Sequence, residues 1–265
     1  MEDTLDLTDE LKIDPLEIRA DRLRIAEIVR RCIEREEEQQ KQIETHVYTQ
    51  YIKTVLHVGG YAEEADKLLV LEEVDRVRTK KPDTAEVVPL RHDRYILENG
   101  ERKEWDEEDE DVAMAVHYDD FDKLPFYLEG RDDYDFDILD RTVVGDRVVY
   151  KVHLEPKSDF EIAPSGTIWV DTSRFQILRE EFDFGDRVPL PMIVKSIGPV
   201  IRERERVGDL WVWKRLLLRA DLRMGWLRVL SDKIPDTVEF VLLFTDHEVN
   251  QDWLPVHKGP SAEEE

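Results

Sequence analysis

Between residues 134 and 248 the hydropathy of the chain alternates with a period of two in segment after segment, and this restricts the fold more than any other feature. Seven segments carry it: YDFDILD, RVVYKVHLEP, GTIWVD, FQILREEFDF, VIRERERV, LWVWKRLLLRADL and EFVLLFTD. Gly145, Gly166, Gly185, Gly208 or Gly225 mark most of the gaps. Successive side chains of an extended chain point to opposite faces, so alternation marks a strand with one apolar face. A parallel pair needs a crossover of about a dozen residues, and these gaps are generally shorter, so the segments predict an antiparallel meander.

The same signal starts earlier. THVYTQYIKTVLHV from Thr45 and KLLVLEEVDRVRT read as strands, AEVVPLRH as a weaker strand containing Pro89, and DRYILENGERKEW as a hairpin turning at Asn99-Gly100. Asn and Gly tolerate the positive φ that a two-residue hairpin turn requires. Ahead of the strands, residues 15 to 43 predict a helix with proline at its first position and one apolar face formed by Leu16, Leu23, Ile25, Ile28, Val29, Cys32 and Ile33. Its second half, EREEEQQKQ, reads as a solvated end. The run ERKEWDEEDEDV predicts a loop, because like charges resist packing, and FDKLPFYLEGRDDYDF a partly helical cover segment. Residues 1 to 14 and 249 to 265 read as tails around a single domain of residues 15 to 248.

Alternation also sorts the side chains. Tyr150, Val152 and Leu154 share a face, as do Ile168 and Val170, and as do Val212, Leu216, Leu218, Ala220 and Leu222, with Trp169, Trp211, Trp213 and Leu217 expected opposite. Residues 240 to 244 are apolar on both faces and contribute Phe240 and Leu242. A long sheet with one apolar face must close or be covered, and the amphipathic helix is the available cover. The expected fold is therefore α+β and mostly β. It is an incomplete antiparallel barrel, a curved meander sheet covered by the N-terminal helix and a short central helical segment. Tyr150, Val152, Leu154, Ile168, Val170, Leu216, Leu218, Phe240 and Leu242 are the candidate lining of an apolar interior, whether side chains or a ligand fill it.

Other chemistry finds little support. The formal net charge of −25 repels phosphate backbones, so nucleic acid is a poor partner. A single cysteine, Cys32, excludes an intrachain disulfide and any cysteine-rich metal site. No apolar run is long enough for a transmembrane span, and the first residues lack the basic end and apolar stretch of an export signal. Pro164-Ser165-Gly166 lacks the first glycine of a nucleophile elbow, phosphate-cradling glycine motifs are absent, and the seven histidines are scattered. No catalytic residue, cofactor or metal is therefore expected. Asp133, Asp135 and Asp137 resemble the opening of a calcium loop, but Ile138 and Val144 stand where Gly and Glu are needed, which leaves a solvated strand face. Glu180 and Glu181 are adjacent and face opposite ways, while His153 and Glu155 share a face with Lys151 and read as surface. Arg202, Arg204 and Arg206 line one side of a strand, with Arg215, Arg219, Arg223 and Arg228 downstream. They suit either cross-strand pairing with Glu203, Glu205 and neighbouring carboxylates or docking of an acidic partner.

The order of pieces from 134 to 183 resembles the LolA/LolB-like outer-membrane lipoprotein-sorting family and related exported domains. A strand ends in Leu154-Glu155-Pro156-Lys157, a glycine-led strand runs from Gly166 through Thr167, Ile168, Trp169 and Val170 to Asp171, and the chain returns through Ile177 and Glu180-Glu181. The helix followed by VYTQYIKTV also fits. The resemblance implies a half-barrel with helices across its concave face, export to the periplasm or cell envelope, and a non-enzymatic carrier of lipid or lipoprotein acyl chains. An envelope protein–protein interaction module with a filled core is the alternative.

Overall fold

The computed structural model describes residues 24–58, 67–82, 84–104, 126–145, 147–158, 163–185, 188, 191–223 and 235–251. The expected tail at 1–14, residues 252–265 of the expected tail at 249–265, the helix start at Pro15 and most of the acidic loop lie outside the described residues, whereas Val249 belongs to the last strand and Asn250 bonds to Gln42 and Glu44. Helix α1 spans Ile25–Gln42 and is followed by β1 (Thr45–Val58), β2 (Lys67–Lys80), β3 (Thr84–Glu98) and β4 (Glu101–Glu104). A short α2 (Phe126–Glu129) and a 3₁₀ turn (Arg131–Asp133) lead into β5 (Tyr134–Val144). Then come β6 (Arg147–Pro156), β7 (Ser165–Asp171), β8 (Gln176–Asp183), β9 (Val194–Ile197), β10 (Val200–Val207), β11 (Leu210–Leu222) and β12 (Thr237–Val249).

All twelve strands of the described residues join one antiparallel sheet, ordered β4-β3-β2-β1-β12-β11-β10-β8-β7-β6-β5, with β9 paired to the end of β11. The sheet ends at β4 and β5 and stays open. It is the expected meander with its last strand returned to the middle, where β12 lies beside β1. Asn99 and Gly100 take the positive φ of the predicted turn, 54° and 80°.

Two expectations are corrected by bulges. Residues 84–98 form one strand instead of two, because the β2–β3 register shifts between Val74 and Asp75, opposite Arg91 and Pro89, and leaves Leu90 unpaired and 59% exposed. Pro89 is tolerated there because β4 pairs only with residues 95–98, so no neighbour on that side needs its missing N–H. A second shift pairs Glu203 with Arg215 but Arg204 with Trp213. The extra residue, Lys214, reverses the alternation, so Trp211 and Trp213 lie on the same side as Leu216 and not opposite it.

One face of the sheet is the covered one. Ile28, Val29 and Cys32 of α1 and Tyr127 and Leu128 of α2 pack onto Tyr134, Tyr150, Val152, Leu154, Ile168, Val170, Ile177 and Phe182, burying the β5–β8 half. Along β1, β2, β11 and β12 a second cluster gathers Tyr48, Ile52, Val77, Leu242 and Phe244 with Trp213, Leu216 and Phe240. A third joins Leu56, Leu69, Ile96 and Val238. The opposite face carries a ladder across five strands: Lys151 and Arg179 flank the Trp169 ring, Arg179 holds Glu203 at 2.5 Å, and Arg215 holds it at 2.6 Å. Burial works against ionisation of Glu203, but Arg215 and Arg179 outweigh it and hold its carboxyl below the usual range.

Candidate functional site

The second half of α1 is solvated on its outer side, where Glu34, Glu37, Glu38, Lys41 and Gln42 are exposed, but not on its inner side. Glu36 and Gln39 continue the inward stripe of Ile28, Val29 and Cys32 at helical spacing, and they are buried. They meet charged residues of the sheet. Arg204 pairs with Glu36, with side chains 6% and 8% exposed, and Arg202 Nε stands 2.5 Å from Glu180 Oε2. Tyr127 donates to Glu180 Oε1 at 2.5 Å, and Gln39 Nε2 donates to Gln176 Oε1 at 2.6 Å. Gln176 Nε2 in turn donates to Glu36 at 3.3 Å. The Trp213 ring lies under both guanidinium groups, 4.3 Å from Arg204 and 5.2 Å from Arg202.

Cross-strand pairing, the first reading of the arginines, holds for Arg215 with Glu203, Arg219 with Glu239 and Arg202 with Glu180, while Arg204 pairs with the helix. Glu203 and Glu205 neighbour Arg202 and Arg204 in sequence and therefore face the other way, so the partners come instead from β8 and from the helix. Of Arg202, Arg204 and Arg206, the last alone stays at the surface, bonded to Asp209 at 2.7 Å. Burial lowers the proton affinity of Arg204, but Glu36 and Glu180 more than offset it, so the guanidinium remains charged. Burial, and then Glu180, push the Tyr127 phenol well above its ordinary range. Burial also raises the Cys32 thiol, which removes the thiolate that nucleophilic chemistry would need.

Beside this network, where α1 ends, the sheet opens into a cleft of about 540 Å³. Tyr48, Trp211, Trp213 and Phe244 give it aromatic walls, Gln39, Ile43 and Glu44 border it from the helix end, and Lys80, Lys81 and Ala85 lie at its rim. His46 and His247 also face it, with His46 Nε2 3.0 Å from His247 Nδ1 and His247 Nε2 3.4 Å from Glu205. Burial, and then the neighbouring His247, lower the His46 imidazole to about 3, and burial lowers His247 as well. Both rings are neutral at neutral pH.

None of the nine candidate lining residues walls this cleft. Tyr150, Val152, Leu154, Ile168 and Val170 lie in the core beneath α1 and α2, and Leu216, Phe240 and Leu242 lie in the second cluster, next to the cleft residues Tyr48, Trp213 and Phe244. Leu218 lies opposite Phe240 on the same face. His153 and Glu155 form a partly exposed pair at 3.5 Å, and Asp135 reaches Lys157 at 4.0 Å, as surface groups do. Among the described residues no three His, Cys, Asp or Glu side chains stand together as a metal site, and no helix is long and apolar enough to cross a membrane.

The chain is thus an open antiparallel sheet with a helix across one face and a cleft at the helix end. Three solved structures are similar to this chain over most of its length. An outer-membrane lipoprotein-sorting protein domain from Vibrio parahaemolyticus is 11% identical, covering 86% of this chain and 95% of that one with a TM-score of 0.35. A DUF1329 family protein from Desulfovibrio piger is 9% identical, covering 85% and 93% with a TM-score of 0.38. A LolA superfamily protein from Nitrosomonas europaea is 14% identical, covering 86% and 94% with a TM-score of 0.34. No family model and no curated protein matches the sequence.

Proposed function

We propose that the protein is a non-enzymatic carrier of an acyl chain, either of a lipid or of a lipid-modified protein, and that it works in the periplasm or cell envelope. The observation that carries this reading is the cleft. Its volume lies in the range of about 300–1,000 Å³ typical of small-molecule sites, and its wall is aromatic within a polar rim, as an amphiphile requires. Behind Trp213 and Phe244, Leu216, Phe240 and Leu242 belong to the same packed apolar cluster, which a chain entering the cleft would meet. Tyr150, Val152, Leu154, Ile168 and Val170 join it when α1 lifts from the sheet. The envelope setting rests on the family resemblance in residues 134–183.

The test is retention of lipid. The protein is incubated with detergent-solubilised envelope lipids, freed of excess and weighed intact by native mass spectrometry, and a stoichiometric acyl-chain adduct is expected. Ala85→Trp places a large ring at the exposed rim without touching the core and should abolish the adduct. A folded wild-type protein that retains no lipid sinks the reading.

A further inference from the structure

We infer that the free edge of β5 is a docking site for an extended segment of a partner protein, one whose side chains alternate between Lys or Arg and aliphatic residues. Among the described residues β5 is the last strand of the sheet and pairs with β6 alone, so alternate residues along Tyr134–Val144 turn their backbone N–H and C=O groups away from the sheet. Such an edge is a template for one more strand. The opposite end of the sheet is closed to this. There β4 has only four residues, and the stretch of β3 left open beside it carries Pro89, which has no N–H, and the bulge at Leu90. No residue of β5 walls the cleft, so the inference is independent of the carrier reading.

The side chains of β5 say which strand fits. Ile138 lies opposite Val152 and Val143 opposite Val148, on the covered face, yet they are 41% and 39% exposed. A bulge between Ile138 and Asp140 leaves Leu139 without a partner in β6 and 55% exposed, while the strand stays regular on either side of it. An edge that needs only protection from stray pairing carries charge, whereas three large apolar residues in a row of exposed positions gain from being covered. On the other face Asp135, Asp137 and Asp140, opposite Glu155, His153 and Lys151, are exposed as well. These carboxylates choose the occupant. A second copy laid antiparallel along β5 would set them against their own kind, and like charges facing across strands are destabilising. A strand with Lys or Arg at every second position meets them with opposite charge and lays its aliphatic residues beside Ile138 and Val143.

Labelled peptides titrated by fluorescence anisotropy test the edge. The probe is KVKVKVK, and its controls are EVEVEVE, the block sequence KKKKVVV of the same composition, and KVKVKVK with every backbone nitrogen methylated, which keeps the charges and cannot pair as a strand. Wild type should bind the alternating Lys–Val peptide about 10-fold or more tighter than the block and methylated peptides. Asp135→Lys combined with Asp137→Lys, both at exposed positions, should lose that binding by about 10-fold and take up the Glu–Val peptide instead, a gain that a misfolded protein would not show. Equal binding of the block or methylated peptide would reduce the effect to the attraction of any cation to an acidic protein and overturn the inference. Indifference to the charge reversal, or failure of wild type to bind the alternating peptide, would overturn it too. A wild-type dimer in sedimentation that dissociates on Leu139→Lys would give the edge to a second copy and overturn it in favour of self-association.

Discussion

Arg204 of β10 and Glu36 of α1 form an ion pair in which both side chains are almost withdrawn from water, 6% and 8% exposed. A buried pair is weak support for stability as a whole, but cutting one half leaves the other charge stranded at a cost of about 3–5 kcal/mol. Glu36→Ala should lower the unfolding free energy by that amount in urea denaturation. The double variant Glu36→Leu with Arg204→Met should recover most of it, because no charge is then left unpaired. A double variant as unstable as the single one would show that the pair matters through packing alone.

The imidazole of His46 makes a pH-dependent contribution of definite sign. Its folded value of about 3 lies below that of the unfolded chain, near 6.5, so between these limits the unfolded state takes up a proton that the folded state refuses. The penalty is absent above pH 7 and grows as pH falls, reaching about 2 kcal/mol at pH 5. Carboxylates also titrate in acid, so the comparison is with His46→Gln. The difference in urea midpoint between the two proteins should shift in favour of the variant from pH 7.5 to pH 5, and a difference that stays constant would contradict the assignment.

Gly166 has no room for a side chain. A Cβ built on it would stand 2.3 Å from the backbone oxygen of Glu181 and 2.4 Å from Cδ1 of Phe182, whose ring closes over the gap. A backbone oxygen cannot swing aside as a flexible side chain can, so Gly166→Ala must push β7 away from β8. The expected loss is about 1–3 kcal/mol, the usual cost of overpacking, measured as a shift in denaturation midpoint. Gly145→Ala, at φ 62° with open space around it, separates backbone strain from this steric clash.

The strands and the helix could be read from the sequence because period two and period 3.6 are imposed by the backbone, and the Asn99-Gly100 turn because few residues accept positive φ. The buried network was not legible, for two reasons. Alternation says which residues share a face but not which face is covered, so Arg202 and Arg204 read as surface. A single unpaired residue such as Lys214 leaves no mark in composition yet moves Trp211 and Trp213 across the sheet. One signal was present in α1: the stripe Ile28, Cys32, Glu36, Gln39 keeps its spacing after turning polar, and period mattered there more than polarity. The cleft is assembled from the end of α1 and from β1, β2, β3, β10, β11 and β12, which no local pattern brings together.

The adjacency of β1 and β12 makes the sheet a meander cut in its middle. Glu44 N–H reaches Asn250 Oδ1 across 206 residues of sequence, so the central seam closes a very long loop, while almost every other strand pair joins near neighbours along the chain. Two local sheets, β1–β4 and β5–β12, can each zip up by themselves, and their docking along this seam is the slow, non-local step. A circularly permuted chain that begins at β5 and ends at β4, with its old ends joined, would meet its strands in nearly the order in which they lie side by side. Its folding would lose the long loop and keep the same cleft.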